Sequence, residues 1–399
     1  MYDVIVIGAR CAGSPVAMLL GRKGYRVLLL DRACFPSDTI SGHMIWQPGI
    51  ARLQRWGLLN NVVASNCPPV KDVKMDLGSY ALSGVLPPSE GVEDAYCVRR
   101  TALDKILVDA AVAAGAELRE RFSVTAILTE NGRFTGIRGH SRGGRTIDEK
   151  ARVVIGADGL HSLVARTAVA PEYRTRPAIT CWYYSYWSGI RTNGVQAYLR
   201  ERCMSILAPT NDGLTLVLTL WTHDQFHEIR SDIEGNYLRT LRQVPEVGAF
   251  LEGGRREERL RGMADVPNFF RKPYGPGWAL VGDAGYHKDP VTAQGITDAF
   301  RDAELLSDAL DSGFSGNRNM EQALQEYEQK RNDAVSEMYE FTCAMASLET
   351  PNAEMRQFHQ ALLRDQQAMD SFFGCLAGTV SSSEFLSPEN RQKIIDAAA

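Results

Sequence analysis

The chain has 399 residues, of which 44% are hydrophobic, so it is long enough to bury a large core and to form two or three domains. Its 44 basic and 48 acidic residues give a formal net charge of -4 and are mixed along the sequence, which argues against a nucleic-acid-binding protein. The eight cysteines form no CxxC pair and no apolar run approaches about 20 residues, which argues against a zinc site, a disulfide framework and a membrane span.

The first 31 residues predict one βαβ unit. A strand over 3–8 precedes a glycine-bearing turn, a helix over about 15–23 and a second strand over 26–31. Such a unit opens a nucleotide-binding α/β domain. No signal peptide precedes the first strand, so we expect a cytoplasmic protein.

The turn after the first strand carries a dinucleotide-binding fingerprint. Gly8 permits the tight turn, Gly13 lets the helix and the strand pack closely, and Asp31 can accept a hydrogen bond from a ribose hydroxyl. Arg10 replaces the second glycine of the pattern, which hinders close backbone approach but leaves open a direct contact with a phosphate. By itself this degraded motif is equally compatible with an ordinary strand–turn–helix. The candidate cofactor contacts in this unit are Gly8, Arg10, Cys11, Ala12, Gly13, Asp31 and Arg32.

A second glycine-bearing strand end follows a mixed region of helices and strands. We predict helices near 48–59 and over 102–114, and strands near 122–128, 134–139 and 152–156. The last of these strands runs into Gly156-Ala157-Asp158-Gly159, with Ser162 and Arg166 behind it. Taken alone, such a turn is often only a tight loop.

The segment from about 177 to 225 is β-rich and aromatic, and predicts a separate sheet. Its aromatic residues alternate as on a strand, so one subset faces the core and the other faces solvent or a pocket. That aromatic cluster consists of Trp182, Tyr183, Tyr184, Tyr186 and Trp187. His223 and His227 have the i,i+4 spacing of helical zinc ligands, but the intervening Asp-Gln-Phe favours a solvated helix start, and we predict no metal site.

The chain returns to nucleotide-domain character after the Pro/Gly-rich linker over 272–277. A strand over 279–281 precedes Gly282-Asp283, and the sequence continues through Asp289-Pro290 to Gln294-Gly295-Ile296 and a helix. A Gly-Asp pair by itself is also a common helix cap. From Met320 onward the pattern predicts amphipathic helices.

The three glycine-bearing strand ends, in this order, resemble the glutathione-reductase-like FAD enzymes of the single-component aromatic hydroxylase (group A monooxygenase) and geranylgeranyl-reductase superfamily. The resemblance implies an α/β fold: a Rossmann FAD-binding domain, a second β-sheet substrate domain and a C-terminal helical region. We assign residues 1–72, 97–172 and 272–319 to the FAD-binding domain, 73–96 and 173–271 to the substrate domain, and 320–399 to the helical region. We expect the FAD to be bound without a covalent link.

The resemblance also implies roles for single residues. Asp283 would bind the ribityl chain, Arg100 would lie against the cofactor, Val124 would lie near the adenine, and Asp158 would serve the cofactor and the nicotinamide path. Gly295 and Ile296 would open a helix whose N–H groups face the flavin and stabilise negative charge on its reduced form. Further cofactor contacts are Gly159, Gly282 and Pro290. His43 and His287 are placed near the flavin and are the candidate catalytic proton donors or acceptors.

The predicted activity is that of an NAD(P)H-dependent monooxygenase, which uses molecular oxygen to hydroxylate or epoxidise an apolar or aromatic small molecule. The segment Met204–Pro209 lacks the aromatic pair that marks related halogenases and geranylgeranyl reductases on a strand beside the pocket. A reductase of substrate carbon–carbon double bonds remains the first alternative, and a flavin-binding protein without turnover the second. The Arg-Ala pair of the hydroxylases is missing around Gly42, so the substrate stays open, as do the nicotinamide preference, the oligomeric state and the role of the C-terminal helices.

Overall fold

A computed structural model describes residues 1–398 of the chain. Its strands, in chain order, are β1 (Tyr2–Ile7), β2 (Val27–Leu30), β3 (Met44–Ile45), β4 (Pro69–Val70), β5 (Asp72–Asp76), β6 (Ala81–Val85), β7 (Ala95–Cys97), β8 (Glu117–Arg119), β9 (Phe122–Glu130), β10 (Arg133–Ser141), β11 (Ile147–Gly156), β12 (Glu172–Arg176), β13 (Thr180–Ser188), β14 (Val195–Arg200), β15 (Cys203–Pro209), β16 (Thr215–Thr222), β17 (Arg255–Arg256), β18 (Arg261–Met263), β19 (Asn268–Arg271), β20 (Tyr274–Gly275), β21 (Trp278–Leu280) and β22 (Tyr286–His287). Its helices are α1 (Gly13–Arg22), α2 (Gln47–Arg55), α3 (Leu59–Ala64), α4 (Arg100–Ala113), α5 (Leu163–Thr167), α6 (Phe226–Ser231), α7 (Ile233–Arg242), α8 (Pro245–Gly253), α9 (Gly295–Phe314), α10 (Met320–Met345), α11 (Ala353–Leu362), α12 (Gln366–Ala377), α13 (Ser382–Phe385) and α14 (Pro388–Ala398).

The first sheet brings the three glycine-bearing turns together. Its order is β20-β21-β11-β1-β2-β8, and β21, β11, β1, β2 and β8 run parallel. The register pairs Ile7 with Gly156 and Gly156 with Leu280, so the turns after β1, β11 and β21 leave the sheet side by side. The strands are continuous apolar runs because helices α1, α4 and α9 cover one face and the β9-β10 hairpin covers the other. The predicted Rossmann-type α/β fold is confirmed.

The second sheet has the order β17-β13-β16-β15-β14-β5-β6. Its strand β13 carries the aromatic cluster, and the side chains alternate between two buried faces. Trp182, Tyr184 and Tyr186 pack on the face that also receives C-terminal residues, whereas Tyr183 and Trp187 pack on the opposite face with α6, α7 and α8. The β-rich segment therefore forms a sheet of its own, as predicted, with neither face left to solvent.

The helical stretch predicted over 48–59 is two helices, α2 and α3. Gly57 between them has a φ of +77°, a left-handed conformation that ends an α-helix and that glycine adopts without a Cβ clash. The sequence pattern continued across this break because apolar residues follow on the helix face. The helices predicted over 15–23 and 102–114 are α1 and α4, and each begins two residues earlier than predicted.

The C-terminal helices are attached to both sheets. In α10, the hydroxyl of Tyr327 donates to the carbonyl oxygen of Leu280 at 2.9 Å, and the fully buried Arg331 donates to the carbonyl oxygen of Gly285 at 2.9 Å. In α12, Asp370 accepts a hydrogen bond at 2.9 Å from the backbone N–H of Val85 in the second sheet. Within residues 1–398, none of the helices is long and apolar enough to cross a membrane.

Candidate active site

A cavity of about 960 Å³ lies where the turns after β1, β11 and β21 leave the first sheet. This volume is at the upper end of the range for ligand pockets, about 300–1,000 Å³. All but one of the predicted site residues line it. They are Gly8, Arg10, Cys11, Ala12, Asp31, Arg32, His43, Arg100, Val124, Asp158, Gly159, Gly282, Asp283, His287, Pro290, Gly295 and Ile296. The exception, Gly13, packs against the lining residues Gly8 and Ala157.

Gly8 and Gly13 allow the first turn to pack against its neighbours without side chains. Gly8 has a φ of +103°, and a Cβ there would lie 2.3 Å from the carbonyl oxygen of Ala157 in the second turn. A Cβ on Gly13 would lie 1.8 Å from the carbonyl oxygen of Gly8. The N-terminus of α1 is thereby held at the cavity, where free N–H groups favour a phosphate.

Asp31 is fixed at the end of β2 by two backbone N–H groups. Its Oδ2 accepts from Ala9 at 2.9 Å, and its Oδ1 accepts from Ala33 at 2.7 Å. Each oxygen keeps a second lone pair, and the residue lines the cavity. The carboxylate can therefore accept a further hydrogen bond from a hydroxyl in the cavity, as an adenosine ribose requires.

Arg10 is held by Asp104, a residue that the sequence analysis did not select. The Arg10 guanidinium donates to Asp104 Oδ2 at 2.5 Å and to Ser37 Oγ at 2.8 Å. Arg100 donates to Asp104 Oδ1 through Nε at 3.0 Å and Nη2 at 2.9 Å. Two guanidinium groups thus share one fully buried carboxylate, which leaves a net positive charge beside the cavity. That charge fits an anionic ligand such as a pyrophosphate.

The i,i+4 spacing of Arg100 and Asp104 on one helix is the signal that could have identified this carboxylate. The link to Arg10 crosses 94 residues of sequence and follows from the fold alone.

The second turn presents Asp158 to the cavity. Its Oδ2 accepts a hydrogen bond at 2.6 Å from the backbone N–H of Leu163. Its Oδ1 is buried and has no hydrogen-bond partner among residues 1–398. Burial raises the pKa of this carboxyl group. An oxygen in this state indicates a position where a ligand group supplies the missing bond.

The third turn presents Asp283 and the start of α9. Gly282 has a φ of +62°, and a Cβ there would lie 2.8 Å from Cβ of Ala12 in the first turn. Asp283 follows it with an exposed side chain that lines the cavity. Helix α9 begins at Gly295 without a side-chain cap, so its first N–H groups remain available. Asp289, another residue not selected from the sequence, accepts from Val291 at 3.0 Å and from Thr180 Oγ1 at 2.8 Å and holds this loop against β13.

The two candidate histidines differ in their surroundings. His43 is 1% exposed, has a φ of +63°, and its Nε2 lies 2.6 Å from the hydroxyl of Tyr186. Burial and the nearby charge of Arg100 lower the pKa of His43 to about 3. His287 is half-buried, and its Nδ1 lies 2.6 Å from the carbonyl oxygen of Pro267. Both line the cavity, and a catalytic role for either stays a prediction.

A second cavity, of about 70 Å³, adjoins the first and lies against the second sheet. We call it the apolar cavity. Residues common to both cavities are Gly42, Met44, Trp182, Pro290 and Ala293. Trp182 is thus a cavity wall, whereas Tyr184 and Tyr186 are buried behind it and the other two aromatic residues pack on the opposite face. Met345 of α10 and Leu376 of α12 complete the lining, so the C-terminal helices close this cavity.

Sequence comparison finds two families in this chain. The FAD binding domain family matches residues 1–204, and the squalene epoxidase family matches residues 240–367. A digeranylgeranylglycerophospholipid reductase of Methanocella arvoryzae is 25% identical over 345 residues, which are 84% of this chain and 83% of that protein. Conditioned medium factor receptor 1 of Dictyostelium discoideum is also 25% identical, over 82% of this chain and 67% of that protein.

Solved structures share the fold at lower identity. The FAD-dependent chondrochloren halogenase CndH, from a myxobacterium, has a TM-score of 0.81 at 22% identity, covering 100% of this chain and 96% of that one. PqsL of Pseudomonas aeruginosa, described as a probable FAD-dependent monooxygenase, has a TM-score of 0.72 at 19% identity, covering 93% and 99%. The FAD binding domain match spans just over half of the chain, and the chain therefore belongs to the FAD binding domain family and is an FAD-dependent oxidoreductase.

Proposed function

We propose that this protein is an NAD(P)H-dependent monooxygenase that transfers one oxygen atom of dioxygen to an apolar or aromatic small molecule. The observation that carries the proposal is the apolar cavity, which adjoins the cavity of about 960 Å³ at Trp182 and Met44. We call this larger cavity the cofactor cavity. Among residues 1–398, no charged side chain lines the apolar cavity. Such a surface favours a substrate whose buried part is hydrocarbon.

In this proposal the large cavity holds FAD. The turn over 8–13 and the N-terminus of α1 bind the pyrophosphate, with the charge of Arg10 and Arg100 behind them. Asp31 would bind the adenosine ribose and Asp283 the ribityl chain. Asp158 would accept a hydrogen bond from the cofactor through its unpaired Oδ1. When bound, FAD supplies the redox chemistry, which comprises electron uptake from the nicotinamide and activation of oxygen.

The chain's own groups orient the reactants and control charge. The N–H groups that open α9 at Gly295 stabilise negative charge that develops in the cavity. The second sheet, together with Met345 of α10 and Leu376 of α12, excludes water from the apolar cavity. We also propose the domain boundaries that were assigned from the sequence. The C-terminal helical region would contribute Met345 and Leu376 to the substrate site.

The surroundings of His43 favour oxygen transfer over reduction of a double bond. Reduction requires a positioned acid that protonates the second carbon. Burial and the nearby charge of Arg100 lower the pKa of His43, which lines the larger cavity, so its imidazole stays neutral near pH 7 and is a poor proton donor. The match to the squalene epoxidase family over residues 240–367 also supports oxygen transfer.

A double-bond reductase is the second candidate, because the digeranylgeranylglycerophospholipid reductase of Methanocella arvoryzae aligns over 84% of the chain. A flavin-binding protein without turnover is the third. The three candidates differ in their demand for electrons and oxygen, and one series of measurements separates them.

The test mixes the FAD-loaded protein with NADH or NADPH under anaerobic conditions, then admits isotopically labelled dioxygen, with squalene, geranylgeraniol and 2-naphthol as separate substrates. A monooxygenase gives a product with one labelled oxygen atom and gives none before oxygen enters. A product that gains two hydrogens without oxygen identifies a reductase. A flavin that neither nicotinamide reduces identifies a binding protein. Free FAD under the same conditions is the control, because free reduced flavin also reacts with dioxygen.

A further inference from the structure

One buried nitrogen atom without a partner lies at the junction of the two cavities, on Trp182, and a second lies on His43 in the wall of the larger cavity. Trp182 Nε1 and His43 Nδ1 have no hydrogen-bond partner among residues 1–398. Trp182 is 3% exposed and His43 is 1% exposed. Both residues line the cofactor cavity, and Trp182 also lines the apolar cavity.

The two residues belong to one packed cluster. The ring of Tyr184 stacks on Trp182 with centroids 5.9 Å apart, and meets His43 edge to face at 5.6 Å. The remaining side chains of the apolar cavity are aliphatic, thioether or thiol groups, apart from the indole of Trp46. The indole N–H of Trp182 is therefore an unpaired polar group on an apolar wall, whereas His43 lines only the larger cavity.

The unpaired indole N–H of Trp182 is unusual within this protein. Four other buried tryptophans donate theirs to protein oxygen atoms: Trp46 to the carbonyl oxygen of Thr292, Trp56 to Oε1 of Glu304, Trp187 to the hydroxyl of Tyr237, and Trp221 to Oγ1 of Thr240, each at 3.0 Å. Buried donors are almost always paired because they otherwise lose their hydrogen bonds to water without replacement. A ligand that enters the junction would supply the missing acceptor.

The contact between Tyr186 and His43 is compatible with a proton at Nδ1 of His43. Burial raises the pKa of Tyr186, so its hydroxyl keeps its proton and can donate to Nε2 of His43 across 2.6 Å. An imidazole that accepts at Nε2 carries its own proton at Nδ1. His43 then carries an N–H donor in the wall of the larger cavity, beside the Tyr184 ring that stacks on Trp182.

We propose that Trp182 Nε1 donates a hydrogen bond to an oxygen atom, in a carbonyl, ether or hydroxyl group, on an otherwise apolar substrate. The inference rests on the proposed function only in placing the substrate in the apolar cavity. It narrows the proposed substrates from hydrocarbons in general to apolar molecules that carry an oxygen atom. That oxygen would lie near the part of the substrate that faces the cofactor.

The test compares acetophenone with ethylbenzene, which has the same skeleton but lacks the carbonyl oxygen. Each is titrated into the FAD-loaded protein without reductant, and binding is followed by the shift of the flavin absorption bands. We expect acetophenone to bind about ten-fold more tightly to the unmodified protein, as one hydrogen bond to an unpaired donor provides. In Trp182→Phe this advantage falls to about two-fold or less. Trp46→Phe is the matched control, because it removes an indole from the same cavity whose N–H already has a partner.

A second measurement does not depend on the variant's folding. With the indole nitrogens labelled with ¹⁵N, one tryptophan N–H resonance of the unmodified protein shifts on addition of acetophenone but not of ethylbenzene. Equal affinity for the two compounds, or no acetophenone-dependent change in either measurement, overturns the proposal. The proposal is also overturned if the Trp182→Phe variant loses FAD but still binds acetophenone more tightly than ethylbenzene. The indole N–H would then bind the cofactor and not the substrate. Both experiments measure binding and not turnover. Their results therefore stay valid even if the protein fails the test for oxygen transfer.

Discussion

The two cavities of this protein are built in opposite ways. The cofactor cavity is formed by short turns, each at the end of a parallel strand, and its polar groups are fixed by neighbours such as Asp104 and the N–H of Ala9. The apolar cavity is formed by side chains from two sheets and from helices α10 and α12, and its wall is almost entirely hydrocarbon. The contrast shows that the larger cavity depends on backbone geometry and charge, whereas the apolar cavity depends on long-range packing. Variants on each side of this division should therefore fail differently.

The largest effect is expected for Asp104→Ala. The substitution removes the carboxylate that Arg10 and Arg100 share. The two guanidinium groups then lie near each other with no negative charge between them. We expect the free energy of unfolding to fall by about 3–5 kcal/mol, as for other broken buried ion pairs. Denaturant unfolding of the FAD-free protein measures this. A loss below about 1 kcal/mol would show that Arg10 and Arg100 find other partners.

Gly13→Ala should act next most strongly. Its Cβ would lie 1.8 Å from the carbonyl oxygen of Gly8, a backbone atom that cannot move without opening the turn. We expect a loss of about 3 kcal/mol in stability, together with loss of bound FAD. Gly253→Ala is the matched control, because a Cβ there meets nothing within 4 Å. Similar FAD content in the two purified variants would contradict the packing argument.

Leu218→Ala tests the apolar side of the comparison. Leu218 is 8% exposed and lines the apolar cavity. Truncation should lower the free energy of unfolding by about 2–3 kcal/mol through lost burial and a larger cavity. The affinity for FAD, measured by flavin fluorescence titration, should stay within about two-fold of the original. A large decrease in FAD affinity would mean that the two cavities are not independent.

Asp283→Ala should weaken FAD binding with little effect on folding, because the side chain is exposed within the cofactor cavity. Losing one charged hydrogen-bond acceptor costs about 1.5–3 kcal/mol of binding. His223→Ala, at the start of a short helical turn outside both cavities, provides the comparison. Equal FAD dissociation constants for the two variants would remove Asp283 from the cofactor site.

His43 should give the protein a pH-dependent stability below neutrality. Its pKa is about 3 in the folded state and about 6.5 in the unfolded state, so below pH 6.5 the unfolded chain binds the proton and the folded chain does not. The free energy of unfolding should therefore fall by about 1–2 kcal/mol between pH 6.5 and pH 5 from this group. His43→Asn, which tolerates the positive φ, should reduce the slope. An unchanged slope in that variant would show that His43 does not stay neutral.

Sequence reasoning selected many residues that line the larger cavity and few that line the apolar cavity. The turns at Gly8, Gly156 and Gly282 were predicted because glycine and aspartate at a strand end restrict the local backbone in a recognisable way. Asp289 was noticed in the sequence but not assigned, because its contact with Thr180 crosses 109 residues. The sequence did not decide whether the aromatic cluster packs in the core or lines a pocket. In the structure Trp182 lines the apolar cavity, and the other members of the cluster pack in the core.

The sequence by itself determined the fold class, the order of the three cofactor motifs and their positions at strand ends, because these depend on residue type and spacing over a few residues. Only the tertiary structure decided that Tyr186 would meet His43 across 143 residues, and that Met345 and Leu376 would close the apolar cavity. Those contacts join distant segments through packing and burial, which no local pattern of the chain encodes. The same burial lowers the pKa of His43 and leaves the indole N–H of Trp182 without a partner.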